Sequence, residues 1–169
     1  PPQDGPLRTV ERVIPIDLID YNGHMNVAYY VLAFDLAIDA LWARLGITDD
    51  YIRTTHGSTF AAETHVTYQR ELREAEAYFV TFELIAYDEK RIHFFQRMYH
   101  AEDRYLAATA EWMSLHVDLR RRKVSFWPSS VLAELATMAA EQVDAATPRE
   151  VCGRMRVPNP HYSIETRGN

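Results

Sequence analysis

The feature that most constrains this chain is a long amphipathic helical pattern followed by a series of strand-like runs. Val27, Tyr30/Val31, Phe34, Ile38, Leu41 and Leu45 recur at i+3 and i+4 spacing. Over about twenty residues this makes one continuous apolar stripe. Asp35, Asp39 and Arg44 fall largely on other faces. Asn26 is suited to cap the start and Gly46 to end the helix. A stripe of this length needs a broad apolar surface to cover it.

That surface is legible downstream. Ser58 to Arg70 alternates, with Thr64, Val66 and Tyr68 on one side and Glu63, His65 and Thr67 on the other. Ala77 to Tyr87, Arg91 to His100 and Tyr105 to Leu119 form three further runs, separated by the polar turns Asp88-Glu89-Lys90 and Ala101-Glu102-Asp103. These runs carry the β-branched and aromatic residues that suit a pleated surface. Their short connections predict antiparallel hairpins. Both faces are apolar at many positions. One face takes the helix, and the other needs a second cover, most simply another subunit. Upstream, Leu7 to Pro15 alternates weakly and reads as one short strand, and Ile16 to Met25 reads as a loop. Downstream, Val131, Leu132, Leu135, Met138 and Ala139 mark a second helix after Pro128. The fold class is therefore α+β, an antiparallel sheet wrapped around one long helix.

The 169 residues suit one domain, with a loose or linking segment at 1–6, the domain at 7–143 and an extended tail rich in Pro, Arg and Asn at 144–169. A content of 47% hydrophobic and 25% charged residues argues against disorder. The net charge of −6 disfavours general binding to nucleic acid. A single cysteine, Cys152, excludes an intramolecular disulfide, argues against a zinc site built on cysteines, and suggests a reducing, cytoplasmic setting. No apolar run reaches the ~18 residues of a membrane helix. The N-terminal PPQDGPLR lacks the pattern of a secretory signal. The chain does not begin with Met, which leaves a processed chain or a fragment of a longer one as readings. The seven histidines show no HxxxH or HExxH spacing, so no metal is expected.

The unusual stretch is I16-D-L-I-D-Y-N-G-H-M-N-V-A-Y-Y30, which gathers two carboxylates, a glycine, a histidine and two asparagines directly ahead of the helix. A helix N-terminus carries unpaired N–H groups and partial positive charge, so it can polarise a carbonyl. Asp20 lies a few residues upstream and can face the same atom. A carboxylate beside such a donor is a pair for acyl transfer or hydrolysis. The plainer reading is that Asp20 and Asn26 only cap the loop and helix, and that Asp17 is a loop carboxylate.

The arrangement D-x-x-G-H-M-N-x-x-Y-Y, then the long helix, then four strands, resembles the hotdog-fold acyl-CoA thioesterases of the 4-hydroxybenzoyl-CoA thioesterase type. The resemblance runs from about Arg8 to about Pro128. The string DYNGHMNVAYYVLAFDLAIDALWARLG is similar, more narrowly, to betainyl-CoA thioesterases of carnitine catabolism, which also occur fused to an L-carnitine dehydrogenase. The resemblance implies a single hotdog domain over 7–143 that hydrolyses a small acyl-CoA thioester. Asp20 matches the catalytic aspartate, as nucleophile or as general base for water. The Val27 N–H matches the amide that polarises the thioester carbonyl. His24 occupies a position where relatives also carry His, Asn26 can orient Asp20, and Glu63 can approach the site from a neighbouring subunit. The family forms homodimers or dimers of dimers with sites at subunit interfaces. Coenzyme A enters as part of the substrate, with no separate cofactor.

Tyr21, Tyr30, Phe60 and Trp112 read either as core or dimer packing or as contacts to the acyl group, where their faces suit a quaternary ammonium and equally an aromatic or aliphatic acyl chain. Tyr29, Phe34 and Trp42 read as core or dimer packing. Arg120, Arg121 and Arg122, with Lys123, read either as a solvated strand end or as partners for the phosphates of coenzyme A. A hotdog module that binds acyl-CoA or acyl carrier protein without chemistry is the alternative function. A hydratase of the same fold is disfavoured because its Asp/His pair on another element is missing.

Overall fold

A computed structural model describes residues 7–142 and 144–164. The expected loose segment at 1–6, position 143 and the last five residues of the expected tail lie outside the described residues. The elements run β1 (Leu7–Arg8), β2 (Arg12–Val13), a 3-10 turn (Ile16–Leu18), α1 (Val27–Arg44), α2 (Asp49–Thr55), β3 (Gly57–Tyr68), β4 (Ala77–Tyr87), β5 (Arg91–His100), β6 (Leu106–Asp118), β7 (Lys123–Val124), α3 (Ser129–Glu141) and β8 (Tyr162–Ser163). The main strands lie in the order β1-β4-β5-β6-β3, and every pairing is antiparallel. No helix among the described residues is long and apolar enough to cross a membrane.

Helix α1 forms where the apolar period demands it. Asn26 holds a β conformation and its side-chain oxygen accepts the Ala28 N–H at 3.0 Å, the geometry of an N-cap. Gly46, at φ +76°, takes the left-handed turn that ends the helix. Tyr30, Ala33, Phe34, Ala37, Ile38 and Leu41 are buried against the sheet. Phe94, Gln96 and Met98 of β5 and Ala108, Ala110 and Trp112 of β6 share the face that receives them. One polar chain crosses this interface. The Gln96 side-chain N–H donates to the Phe34 carbonyl at 3.0 Å, and Trp112 Nε1–H donates to Gln96 Oε1 at 2.7 Å. A buried amide satisfied on both ends fixes the helix along its axis, which apolar contact alone leaves free to slide.

Three findings depart from the sequence expectation. The single strand expected over Leu7 to Pro15 is two short strands, β1 on Phe82 and Thr81 and β2 on Tyr78 and Ala77. With β8 on Ala86 and Tyr87, they cap successive stretches of the β4 edge. Helix α2 was not expected, because its seven residues carry no apolar period; Thr48 caps it and His56 ends it at φ +60°. The second face of the sheet is covered over β4, β5 and β6 by the chain's own C-terminal segment, where Met155 and Val157 pack on Ala86 and Met113. The cover expected from another subunit is therefore supplied in part from within. Strand β3 is the exception, with Phe60 to Thr64 exposed and its outer edge unpaired among the described residues.

Tyr51 of α2, His116 of β6 and Ser125 join the end of the sheet through bonds of 2.8 Å and 3.0 Å to the two imidazole nitrogens. Gly57 makes this approach feasible, since a Cβ there would lie 2.6 Å from Tyr51 OH and 2.8 Å from His116 Nε2. Burial pushes the His116 imidazole below its ordinary value.

Phe34 is fully buried, so Phe34→Ala should cost about 3–5 kcal/mol in urea unfolding, while exposed Asp39→Ala stays within about 0.5 kcal/mol. His116 supplies a pH test. Its folded pKa is depressed, so the unfolded chain binds the extra proton. Its contribution is complete above about pH 6.5 and is lost as pH falls below that toward the folded pKa. The urea midpoint should drop on acidification through this window, and His116→Gln should flatten the slope.

Candidate active site

The loop ahead of α1 closes on itself like a small hairpin. Ile19 and Met25 form an antiparallel bridge, and the Asn26 N–H donates to the Leu18 carbonyl at 2.9 Å. Inside it, the Asp20 N–H donates to the His24 carbonyl at 3.1 Å and the Gly23 N–H to the Asp20 carbonyl at 3.0 Å. Gly23 has φ +82°, which a side chain would strain, so the glycine in the motif is set by this turn. The Met25 N–H reaches across to the Leu72 carbonyl at 2.7 Å and ties the loop to the segment after β3. Asp20, His24 and Asn26 are thus gathered at the base of one loop.

Asp20 is half-buried, and its Oδ1 accepts the Asn22 N–H at 2.8 Å. Its Oδ2 has no partner among the described residues. Asn26 spends its side chain on the Ala28 N–H and its carbonyl on the Tyr29 N–H. The N–H of Val27, the first residue of α1, has no such partner among the described residues and remains a free donor at the positive end of the helix. His24 Nδ1–H donates to the Met25 carbonyl at 3.1 Å, which holds the ring against the loop.

An open cleft of about 250 Å³ lies beside this helix start, lined by His24, Met25, Val27, Tyr30, Tyr68, Gln69, Arg70 and Glu71. Tyr30 and Tyr68 meet edge to face, with ring centroids 5.4 Å apart. Tyr30 OH accepts the Leu72 N–H at 2.9 Å, and burial raises the pKa of both phenols. The bond from Arg73 holds the Glu71 carboxyl below its ordinary range, so Glu71 stays ionised and paired with that guanidinium, while Arg70 brings a positive charge to the same lining.

The expected residues divide. Asp20, His24, Asn26, Val27 and Tyr30 converge on the loop and helix start, although Asp20 does not line the cleft of the single chain. Tyr21 stands 97% exposed at the loop tip. Glu63 and Phe60 lie on β3, on either side of a bulge between Ala61 and Glu63. Both are exposed, and pairing of Glu63 with Met113 puts it on the sheet face away from α1, so it does not join Asp20 of its own chain. Trp112 is in the core, stacked on Phe94 and bonded to Gln96, and does not line the cleft. Arg120, Arg121 and Arg122 form the exposed turn after β6, with two of their N–H groups on Asp118 and the Arg120 guanidinium on His56 Nε2 at 2.6 Å. This turn is at the Gly57 end of β3, roughly 35 Å along the strand from Tyr68 and the cleft. Sequence reasoning missed Tyr68 and Glu71 as cleft residues, because only the fold of β3 back over the helix start brings them there.

The family model of the thioesterase-like superfamily matches residues 14–135. A Rhizobium meliloti protein named L-carnitine dehydrogenase/betainyl-CoA thioesterase is 38% identical over 135 residues, 80% of this chain and 27% of that protein. The chain thus spans about a quarter to a third of the fused relatives it matches. A Pseudomonas aeruginosa protein named betainyl-CoA thioesterase is 32% identical over 79% of this chain and 84% of its own length. Among solved structures, a Staphylococcus aureus protein in complex with CoA superimposes with a TM-score of 0.81 at 26% identity, over 88% of this chain and 94% of that one. With the motif loop, the single central helix and the antiparallel sheet around it, these matches give the fold as a hotdog and the chain as a member of the thioesterase-like superfamily.

Proposed function

We propose that this chain hydrolyses an acyl-CoA thioester, with betainyl-CoA as the substrate class. The observation that carries the reading is the free Val27 N–H at the mouth of α1, with the Asp20 carboxylate tethered at the base of the same loop. A thioester carbonyl seated on Val27 gains stabilisation of the oxyanion that develops as a nucleophile adds. Asp20 either takes a proton from the attacking water or adds to the carbonyl itself, forming an anhydride that water then opens. In both routes the C–S bond breaks, coenzyme A leaves as its thiol, and water supplies the oxygen of the free acid.

Tyr68 and Tyr30 line the cleft, and their aromatic faces suit a quaternary ammonium. The names of the relatives support that choice. Two copies joined along the open edge of β3 would align antiparallel, which carries the Arg120–Arg122 turn of one copy toward the Tyr68 end of the other. A homodimer, or a dimer of such dimers, would thus bring a basic cluster to the phosphates of coenzyme A. The same pairing brings Glu63 and Phe60 to the subunit boundary. The proposed substrate needs no separate cofactor and implies a cytoplasmic location.

Asp20→Asn and Asp20→Ala should each lower kcat by about 10²–10⁴-fold, with the thermal midpoint unchanged, in an assay of thiol release from betainyl-CoA. Wild-type turnover in either folded variant removes Asp20 from the chemistry. Tight binding of acyl-CoA by the wild type with no thiol released across short, branched, aromatic and betainyl thioesters establishes the binding-module alternative instead. Arg120→Ala/Arg121→Ala should raise KM by roughly tenfold and leave kcat nearly unchanged, the signature of lost ground-state binding. An unchanged KM removes the turn from the coenzyme A site.

A further inference from the structure

The outer face of the sheet carries chemistry that the cleft does not use. His65 of β3 and Glu111 of β6 are direct cross-strand partners, so their side chains stand on the same face. That is the face away from α1, and the C-terminal segment crosses it. Cys152 arrives there with its backbone N–H donating to Glu111 Oε2 at 2.7 Å. Glu111 has no exposed surface, and its other oxygen, Oε1, is 2.7 Å from Nε2 of His93, itself only 2% exposed. His65 Nδ1 lies 3.9 Å from Glu111 Oε2. The ligand atoms of His65, Glu111 and Cys152 all fall within 4.8 Å of one another. His65 Nδ1 is itself shielded from solvent and has no hydrogen-bond partner among the described residues.

A ring nitrogen shielded from solvent without a partner is costly, and Glu111, bonded by His93 on Oε1 and by the Cys152 N–H on Oε2, is held ionised beside it. Here the unpaired nitrogen, the carboxylate oxygen and the thiol point into one small volume. We propose that His65, Glu111 and Cys152 bind a zinc ion that fastens the C-terminal segment to the outer face of the sheet. The donor set decides the metal class. One imidazole nitrogen, one carboxylate oxygen and one thiolate suit zinc, whereas calcium and magnesium take oxygen ligands. Zinc bonds of about 2.0–2.3 Å in tetrahedral geometry put neighbouring ligand atoms roughly 3.3–3.8 Å apart. His65 Nδ1 and Glu111 Oε2 stand 3.9 Å apart and all three ligand atoms lie within 4.8 Å of one another, so zinc would draw them together, with a water as the fourth ligand. His93 supports the site from behind: its bond to Oε1 orients the carboxylate so that Oε2 faces the other two ligands. Binding takes the Cys152 proton into solution as the thiolate forms.

The site was invisible to spacing rules because its ligands come from β3, β6 and the C-terminal segment, and cross-strand register alone assembles them.

The test uses the whole chain, stripped with a chelator and titrated with Co²⁺. One equivalent should give the near-ultraviolet thiolate-to-cobalt band, and Zn²⁺ should bleach it. Cys152→Ser should abolish the band, and His65→Ala should weaken Co²⁺ binding by roughly 10–100-fold or more. Circular dichroism identifies variants that keep the fold. As a second readout, Zn²⁺ should protect residues 145–164 from limited proteolysis in the wild type and not in Cys152→Ser. Absence of the band in the wild type, or a band retained by folded Cys152→Ser or unweakened in folded His65→Ala, overturns the site. None of the three residues lines the cleft, so thioester turnover and metal binding are tested separately.

Discussion

The burial of one helix governs this structure. An eighteen-residue helix with a continuous apolar face can leave water only if a sheet bends along its whole length, and β4, β5, β6 and β3 supply that surface. Each fully buried large side chain, such as Phe34 or Leu41, contributes about 1.5–3 kcal/mol relative to exposure. Apolar contact is tolerant of sliding, and the Phe34–Gln96–Trp112 chain removes that tolerance. A change of register there would leave buried amide and indole groups unpaired. Because the helix is fixed along its axis, so is its first N–H, and the loop that carries Asp20 is built onto that fixed end.

The two faces of the sheet are put to different use. The inner face is mostly apolar, with Thr64, Gln96 and Ser114 among its polar residues. The outer face holds the buried charges: Arg97 sits 2.5 Å from Glu83, and His93 sits on Glu111. Burying ions in this way is a weak source of stability. Their value is in position, because each must be met by a specific neighbour from an adjacent strand or from the C-terminal segment. That segment is consequently held in one place on the sheet by polar partners as well as by Met155 and Val157.

Much of this was legible in the sequence, and the reasons differ by element. The period of α1 and the alternation of β3 to β6 are strong because burial on one face repeats over many residues, and the expected sidedness of Thr64, Val66 and Tyr68 against Glu63, His65 and Thr67 holds. The Asn26 cap was readable because its chemistry is local. Helix α2 was not, since seven residues held by a Thr48 cap and a left-handed His56 carry no periodic signal. Trp112 illustrates a different limit. The sequence left core packing and substrate contact both open for it, and its indole N–H bonds Gln96 in the core. The placement of Tyr68 and Glu71 beside the helix start, and of Cys152 over Glu111, depends on long-range register that no local pattern encodes.

The strand edges of the sheet are treated unequally. Three short strands close off β4 piece by piece, while β3 presents twelve residues of backbone without a neighbour on its far side among the described residues. A sheet with two bare rims can recruit copies indefinitely and grow into a fibre. With one rim sealed, a second molecule that docks on β3 brings its own sealed rim to the outside, and growth in that direction stops at two. The short flanking strands therefore leave β4 with no long bare rim on which another strand could add.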